Sequence, residues 1–259
     1  MPLNQSNVTS PFSLAGETAL ITGGGTGLGF GIAQAFVASG AKVALVGRRQ
    51  QVLEEAAHRL GSSAVWETHD ITRHDSAGDL VRRVSDRIGR VSILVNNAGI
   101  HIKKPAVEIE PNEFNDVVQT NLTAAFCLTR AVLPSMMQQG HGNVLFIASM
   151  ASLIGLPEVA AYSAAKAAHL GLVRALAVEA SGRGVRINAI APGWIESDML
   201  RTTMNGDTYR SEKVLSRTPM GRFGTAEEIG WAAVYLSSPA ARFVTGAVLP
   251  VDGGASIGF

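Results

Sequence analysis

The stretch "ALITGGGTGLGFGIAQAF", residues 19–36, constrains this chain more than any other. An apolar, strand-like run ends at Thr22, glycines crowd positions 23–29, and a helical pattern follows at once. Glycines allow a tight turn and a close approach of backbone to ligand, and the first turn of a helix offers N–H groups with no partner inside the helix. Strand, glycine turn and helix N-terminus together make a phosphate cradle. Gly23, Gly27 and Gly29 are spaced G-x-x-x-G-x-G rather than G-x-G-x-x-G, so the spacing is a weak match on its own and a ligand-free glycine turn stays open here.

The rest of the chain repeats the strand-then-helix rhythm. Short β-branched runs fall at 17–22, 42–47, 64–69, 91–96, 143–149, 185–191 and 246–251, with helical patterns at about 27–39, 50–60, 74–89, 111–139, 158–182 and 225–237. Near-continuous apolar strands alternating with helices predict a parallel sheet covered on both faces. The expected fold is a single α/β domain, a Rossmann-like doubly wound sheet of about seven strands, spanning 14–259 after a flexible tail at 1–13. Segment 194–224 breaks the rhythm with polar residues, Gly206, Pro219, Gly221 and Gly224, and is expected to be a substrate lid. At 259 residues, 46% hydrophobic and 17% charged, the chain has enough apolar content for one large core.

Other functions are disfavoured by composition. A net charge of +1 without a basic run leaves no electrostatic footprint for nucleic acid or a membrane surface. The N-terminus has no apolar core of a secretory signal, and no run approaches the ~18 apolar residues of a spanning helix, so a cytoplasmic protein is expected. Cys127 sits among apolar neighbours and reads as a buried thiol. His58, His69, His74, His101, His141 and His169 are scattered without zinc-like spacing, so no metal is expected.

After the second predicted strand, "VALVGRR" carries no carboxylate where an acid would hold a ribose 2′-hydroxyl. Gly47 leaves space, and Arg48 and Arg49 offer guanidinium groups that suit a phosphate monoester. NADP is therefore expected over NAD, with Arg48 as the main contact. Solvent-facing arginines opening the next helix are the alternative.

In "AYSAAKAAHLG", Tyr162 and Lys166 stand four apart, one turn along a helix face. A phenol has a pKa of about 10, too high for a base near neutrality, and a neighbouring ammonium favours the phenolate.

Together with "TGGGTGLG" (22–29), "NNAG" (96–99), "QTNLTAAF" around Asn121, "NVLFIASM" around Ser149, "APGWIES" (191–197) and "VDGG" (251–254), the "YSAAK" segment resembles the short-chain dehydrogenase/reductase family from Leu14 to Gly254. Each motif is weak alone; seven in order are specific. The resemblance implies a catalytic tetrad of Asn121, Ser149, Tyr162 and Lys166. Tyr162 would exchange the proton on the substrate oxygen. Lys166, with an oxidised nicotinamide, would lower the phenol pKa and hold the nicotinamide ribose. Ser149 would orient the substrate oxygen, and Asn121 would anchor a water relaying protons to Lys166. It also implies cofactor contacts from Gly23, Gly25, Thr26, Gly27, Leu28 and Gly29, from Asp70 and Ile71, from Asn97, Ala98 and Gly99, and from Pro192, Gly193, Ile195 and Ser197.

Within the family, "PFSLAGETALITGG", "NNAGIHIKKPAVEI" and "RTPMGRFGTAEEI" look most like bacterial sugar-acid dehydrogenases of the gluconate 5-dehydrogenase type. Substrate candidates are His101, Lys103, Met150, Glu158, Trp194 and Met199, beside Ser149 and Tyr162. Lys103 would pair with a carboxylate, or it faces solvent with Lys104. Glu158 would bond sugar hydroxyls but repel an acid, which leaves neutral sugars and polyols open. A 3-oxoacyl-carrier-protein reductase-like ketoreductase and a non-catalytic nucleotide-binding sensor are the alternatives. The family's habit implies a homotetramer, with apolar helices 111–139 and 158–182 pairing across one twofold and the C-terminal strand across another.

Overall fold

The computed structural model describes residues 10–196, 212 and 214–258. Seven parallel strands form one sheet in the order β3-β2-β1-β4-β5-β6-β7. They are β1 (Thr18–Thr22), β2 (Lys42–Gly47), β3 (Ala64–Thr68), β4 (Ile93–Asn96), β5 (Gly142–Ile147), β6 (Val185–Pro192) and β7 (Val248–Val251). Between them run α1 (Gly27–Ala38), α2 (Gln50–Leu60), α3 (Ala77–Ile88), α4 (Pro111–Val118), α5 (Ala124–Gln139), α6 (Ala160–Ala180) and α7 (Ala226–Ser237). This is the doubly wound α/β architecture expected from the alternation.

The period-2 alternation of each strand sorts its side chains between two core layers. Ala19 and Ile21 of β1 pack with Phe36 of α1, Leu53 of α2 and Ile229 of α7, whereas Leu20 packs with Leu80 of α3, Leu128 of α5 and Val173 of α6. Both faces are covered, so the central strands are buried throughout. Helices α1 and α7 cross at glycines: a Cβ on Gly31 would lie 2.6 Å from the Ala226 carbonyl oxygen, and one on Gly230 2.7 Å from that of Gly31. Residues 11 and 12 dock on this layer, with Ala240 N–H donating to the Pro11 carbonyl at 2.8 Å and the Phe12 ring 6.5 Å from Tyr235.

The sheet order reverses direction between β1 and β4, and the loops leaving their carboxyl ends diverge to opposite faces. A crevice opens there, where open α/β sheets bind ligands. The expected helix over 111–139 is helical throughout, with one change of pitch. A five-residue π-helical turn, Gln119–Thr123, separates α4 from α5. The apolar pattern continues across this turn, and the turn carries Asn121, whose bonds are described below.

Candidate active site

One cleft of about 1010 Å³ runs over the carboxyl edge of the sheet, from Arg48 and Asp70 at one end to Tyr162, Glu158 and Trp194 at the other. Its floor is stapled to β1. The Thr22 hydroxyl accepts the N–H groups of Asn97 and Ala98, each at 3.0 Å, and Asn97 Nδ2 donates to the carbonyls of Thr22 at 2.9 Å and Gly23 at 3.3 Å. Sequence reasoning passed over Thr22; a hydroxyl residue closing an apolar strand before a glycine run was the available signal.

Gly23, Thr26, Gly27 and Leu28 line the cleft; Gly25 and Gly29 do not. Both are closely packed. A Cβ on Gly25 would meet Val52 at 3.1 Å, and one on Gly29 would sit 2.2 Å from the Gly23 carbonyl oxygen, so the bare glycine lets α1 approach the turn. Thr26, the N-cap of α1, makes no side-chain capping bond, and the first turn carries no acid. The helix's unpaired N–H groups and positive end therefore remain for a phosphate. With Gly47, Arg48 and Arg49 lining the same cleft, this cradle fits the phosphates of a dinucleotide.

Asp70 and Ile71 lie at the same end, as do Asn97, Ala98 and Gly99 along the floor. Asp70 Oδ1 accepts from Thr72 Oγ1 at 2.7 Å and Thr72 N–H at 3.0 Å; these bonds hold its carboxyl below the usual value. Pro192, Gly193 and Ile195 line the far wall. Ser197 and Met199, and most of the expected lid, lie outside the described residues.

The catalytic candidates gather where β5 meets α6. The Ser149 hydroxyl accepts from Ala151 N–H at 3.1 Å and lowers the pKa of the nearby Tyr162 phenol. Lys166 Nζ, 5.8 Å from the Tyr162 ring centroid, donates to the Ile147 carbonyl at 2.6 Å. Burial lowers its pKa from 10.5 to about 8. The expected role of Lys166 combines its charge with that of an oxidised nicotinamide. Without that partner, burial pushes the Tyr162 phenol up and the Ser149 hydroxyl pulls it partly back. Burial disfavours the charged phenolate.

Asn121 does not line the cleft. Its Oδ1 accepts from Ile100 N–H at 2.7 Å and its Nδ2 donates to the Ile100 carbonyl at 2.9 Å, clamping the π turn to the loop after β4. Its own carbonyl accepts from His169 Nε2 at 2.8 Å. A proton on Nε2 leaves Nδ1 as the acceptor, and Nδ1 is buried without a partner. Burial, then the Lys166 charge, drives His169 down to about 3, so it is neutral. The sequence had shown it only as one scattered histidine.

At the substrate end, the His101 ring stands edge-on to Tyr162, centroids 5.2 Å apart, and burial keeps it neutral. Lys103 and Glu158, expected to face a ligand separately, pair with each other at 3.3 Å. Met150 and Trp194 line the wall with Ile154, Leu156 and Pro157. Arg217, which the sequence reading did not single out, also lines the cleft. Among the described residues no cluster of three or more His, Cys, Asp or Glu could hold a metal, and no helix is long and apolar enough to cross a membrane.

A phosphate cradle at a sheet switch point, ending in a Ser–Tyr–Lys group, defines a nicotinamide-dependent oxidoreductase. The chain belongs to the short-chain dehydrogenase/reductase family and is an NAD(P)-dependent enzyme acting on CH–OH groups. The family described as Enoyl-(Acyl carrier protein) reductase matches residues 23–256. Among curated relatives, the gluconate 5-dehydrogenase of Gluconobacter oxydans (strain 621H) is 35% identical, covering 95% of this chain and 97% of its own. The 3-oxoacyl-(acyl-carrier-protein) reductase FabG of Escherichia coli (strain K12) is 36% identical over 92% and 97%. The galactitol 2-dehydrogenase (L-tagatose-forming) of Cereibacter sphaeroides is 39% identical over 95% and 97%. The crystal structure of a gluconate 5-dehydrogenase from Burkholderia cenocepacia J2315 in complex with NADP and tartrate superposes with a TM-score of 0.91 at 32% identity, covering 96% and 98%.

Proposed function

We propose that this enzyme interconverts a secondary alcohol and a ketone on a polyhydroxylated carbon chain, a sugar acid or related polyol, with NADP. The observation that carries the reading is the single cleft joining Arg48 and Arg49 to the Ser149–Tyr162–Lys166 group. The α1 N-terminus would hold the pyrophosphate, Arg48 the 2′-phosphate, and Asn97–Gly99 with Pro192–Ile195 the remainder. The bound nicotinamide supplies or accepts hydride at the carbinol carbon.

The chain's own residues manage the oxygen. Ser149 holds the substrate hydroxyl against Tyr162, and Tyr162 moves the proton on that oxygen. Lys166, cationic below about pH 8, favours the phenolate once a ligand excludes water from the cleft. Asn121 and His169 act at one remove, keeping the π turn and the loop after β4 in place.

The apolar wall of Met150, Ile154, Leu156 and Pro157 favours a second reading, a 3-oxoacyl thioester reductase. Initial rates with D-gluconate, hexitols and an acetoacetyl thioester, each with NADP and NAD separately, decide between them. Turnover of the polyhydroxylated substrates with NADP+ supports the proposal, thioester reduction alone supports the second reading, and cofactor binding without turnover leaves a sensor. For assembly we propose the homotetramer: exposed Phe114, Phe126 and Val178 lie on the helices of one expected contact, and exposed Phe243 and Ile257 flank β7 in the other. A monomeric mass by light scattering would refute it.

A further inference from the structure

Two loops flank the candidate tyrosine, and a charged clasp joins them. One loop follows β4 and carries His101, Lys103 and Lys104; the other precedes α6 and carries Glu158. Lys103 Nζ reaches Glu158 Oε2 at 3.3 Å, and Lys104 N–H donates to the Glu158 carbonyl at 2.9 Å. Lys104's ammonium is committed elsewhere, to Glu113 Oε1 at 2.5 Å. Glu158 is the only non-glycine among the described residues with φ in the left-handed region, at +66°. A residue with a Cβ in that conformation is strained, and such strain gathers at ligand sites. Lys103 and Glu158 both line the cleft, and their side chains stay 30% and 44% exposed, so a ligand can reach them.

The charge balance of this clasp selects among substrates. A carboxylate brought to Lys103 finds the ammonium already paired with the Glu158 carboxylate and must break that pair to gain a cation. Breaking a pair to form an equivalent one yields little, and the displaced carboxylate repels the ligand. A hydroxyl both donates and accepts. Two hydroxyls on adjacent carbons can donate to Glu158 and accept from Lys103 while the pair stays intact. Neutral His101, beside Tyr162, adds no charge to favour an acid.

Resting on the alcohol oxidation proposed above, we infer that the Lys103–Glu158 pair reads vicinal hydroxyls of an uncharged polyol and makes Glu158 a specificity-determining residue against sugar acids. Arg217 is the competing determinant: it lines the same cleft, and a substrate carboxylate would find it if the clasp does not decide.

The test compares stereochemically matched pairs, D-sorbitol with D-gluconate and galactitol with D-galactonate, by kcat/KM with NADP+. The wild-type enzyme is expected to favour the hexitol. Glu158→Gln should lower the hexitol-to-aldonate ratio by about tenfold, the worth of one charge-assisted contact. Glu158→Gly removes the same carboxylate and accepts the left-handed backbone without strain, so it guards against a folding loss; the ratio should fall likewise. Quenching of protein fluorescence by NADPH confirms that the cofactor end is intact in both. A ratio unchanged within about twofold in both variants, or a wild-type preference for the aldonates that Arg217→Ala abolishes, overturns the inference while leaving the polyhydroxyl reading in place. Wild-type inertness towards every hexitol and aldonate overturns that reading, and this inference with it.

Discussion

Lys166→Met should make the protein more stable at neutral pH while abolishing turnover. The ammonium is buried, with 4% of its surface exposed, and its pKa falls from 10.5 to about 8. That fall equals about 3 kcal/mol of penalty on the charged form at pH 7. Methionine keeps the apolar stem but leaves the Ile147 carbonyl without its donor, a loss of about 1 kcal/mol. The variant should therefore gain about 2 kcal/mol at pH 7. The pH dependence follows from the sign of the shift. Between about 8 and 10.5 the unfolded chain holds a proton that the folded chain has lost, so wild-type stability attributable to Lys166 rises with pH across that window. The variant's advantage should shrink from pH 8 and reverse by about pH 10.5. Urea unfolding of both proteins at one protein concentration, at several pH values, reads the difference directly, since all other titrations cancel. A difference that stays flat from pH 7 to 10, or a variant less stable at pH 7, would refute the reasoning. The gain in stability with loss of turnover would mark Lys166 as a strained group kept for its chemistry.

Other consequences follow from single contacts. Gly29→Ala places a Cβ 2.2 Å from the Gly23 carbonyl oxygen, which is backbone and cannot swing away; NADPH affinity measured by fluorescence should fall at least about tenfold, with a lower melting temperature. Arg48→Asp should move cofactor preference from NADP+ towards NAD+ by about a hundredfold in the ratio of kcat/KM values, and an unchanged ratio would remove the 2′-phosphate assignment. At the opposite edge of the sheet, His141 Nε2 lies 3.0 Å from Glu17 Oε1, and this hydrogen bond raises the imidazole pKa. His141→Gln should destabilise the protein at pH 5.5, where the imidazolium is present, and leave it unchanged at pH 9; equal effects at both pH values would show the pair to be electrostatically idle.

Much of this architecture was legible because its signals are local. Alternation of apolar residues in "ETALIT" and "KVALVG", the glycine turn at 23–29 and the four-residue spacing of Tyr162 and Lys166 each depend on a few neighbouring residues and obey the geometry of strand, turn or helix. The strand and helix boundaries at 42–47 and 50–60 coincide with the expected ones for that reason. Features set by partners far along the chain were not legible. The π turn at 119–123 carries Asn121, which bonds Ile100 and His169, and no helix periodicity records those bonds. The direction of the Tyr162 shift depends on burial, which the sequence does not measure. Lys103 and Glu158 each looked ready for a ligand because 55 positions separate them, and only the chain's return before α6 makes them partners. Sequence by itself determined the units, since their hydrogen bonds and periodicities close within a few residues. Tertiary structure alone decided their order in the sheet, the reach of each charge and the water left around it, because those depend on what the folded chain brings into contact.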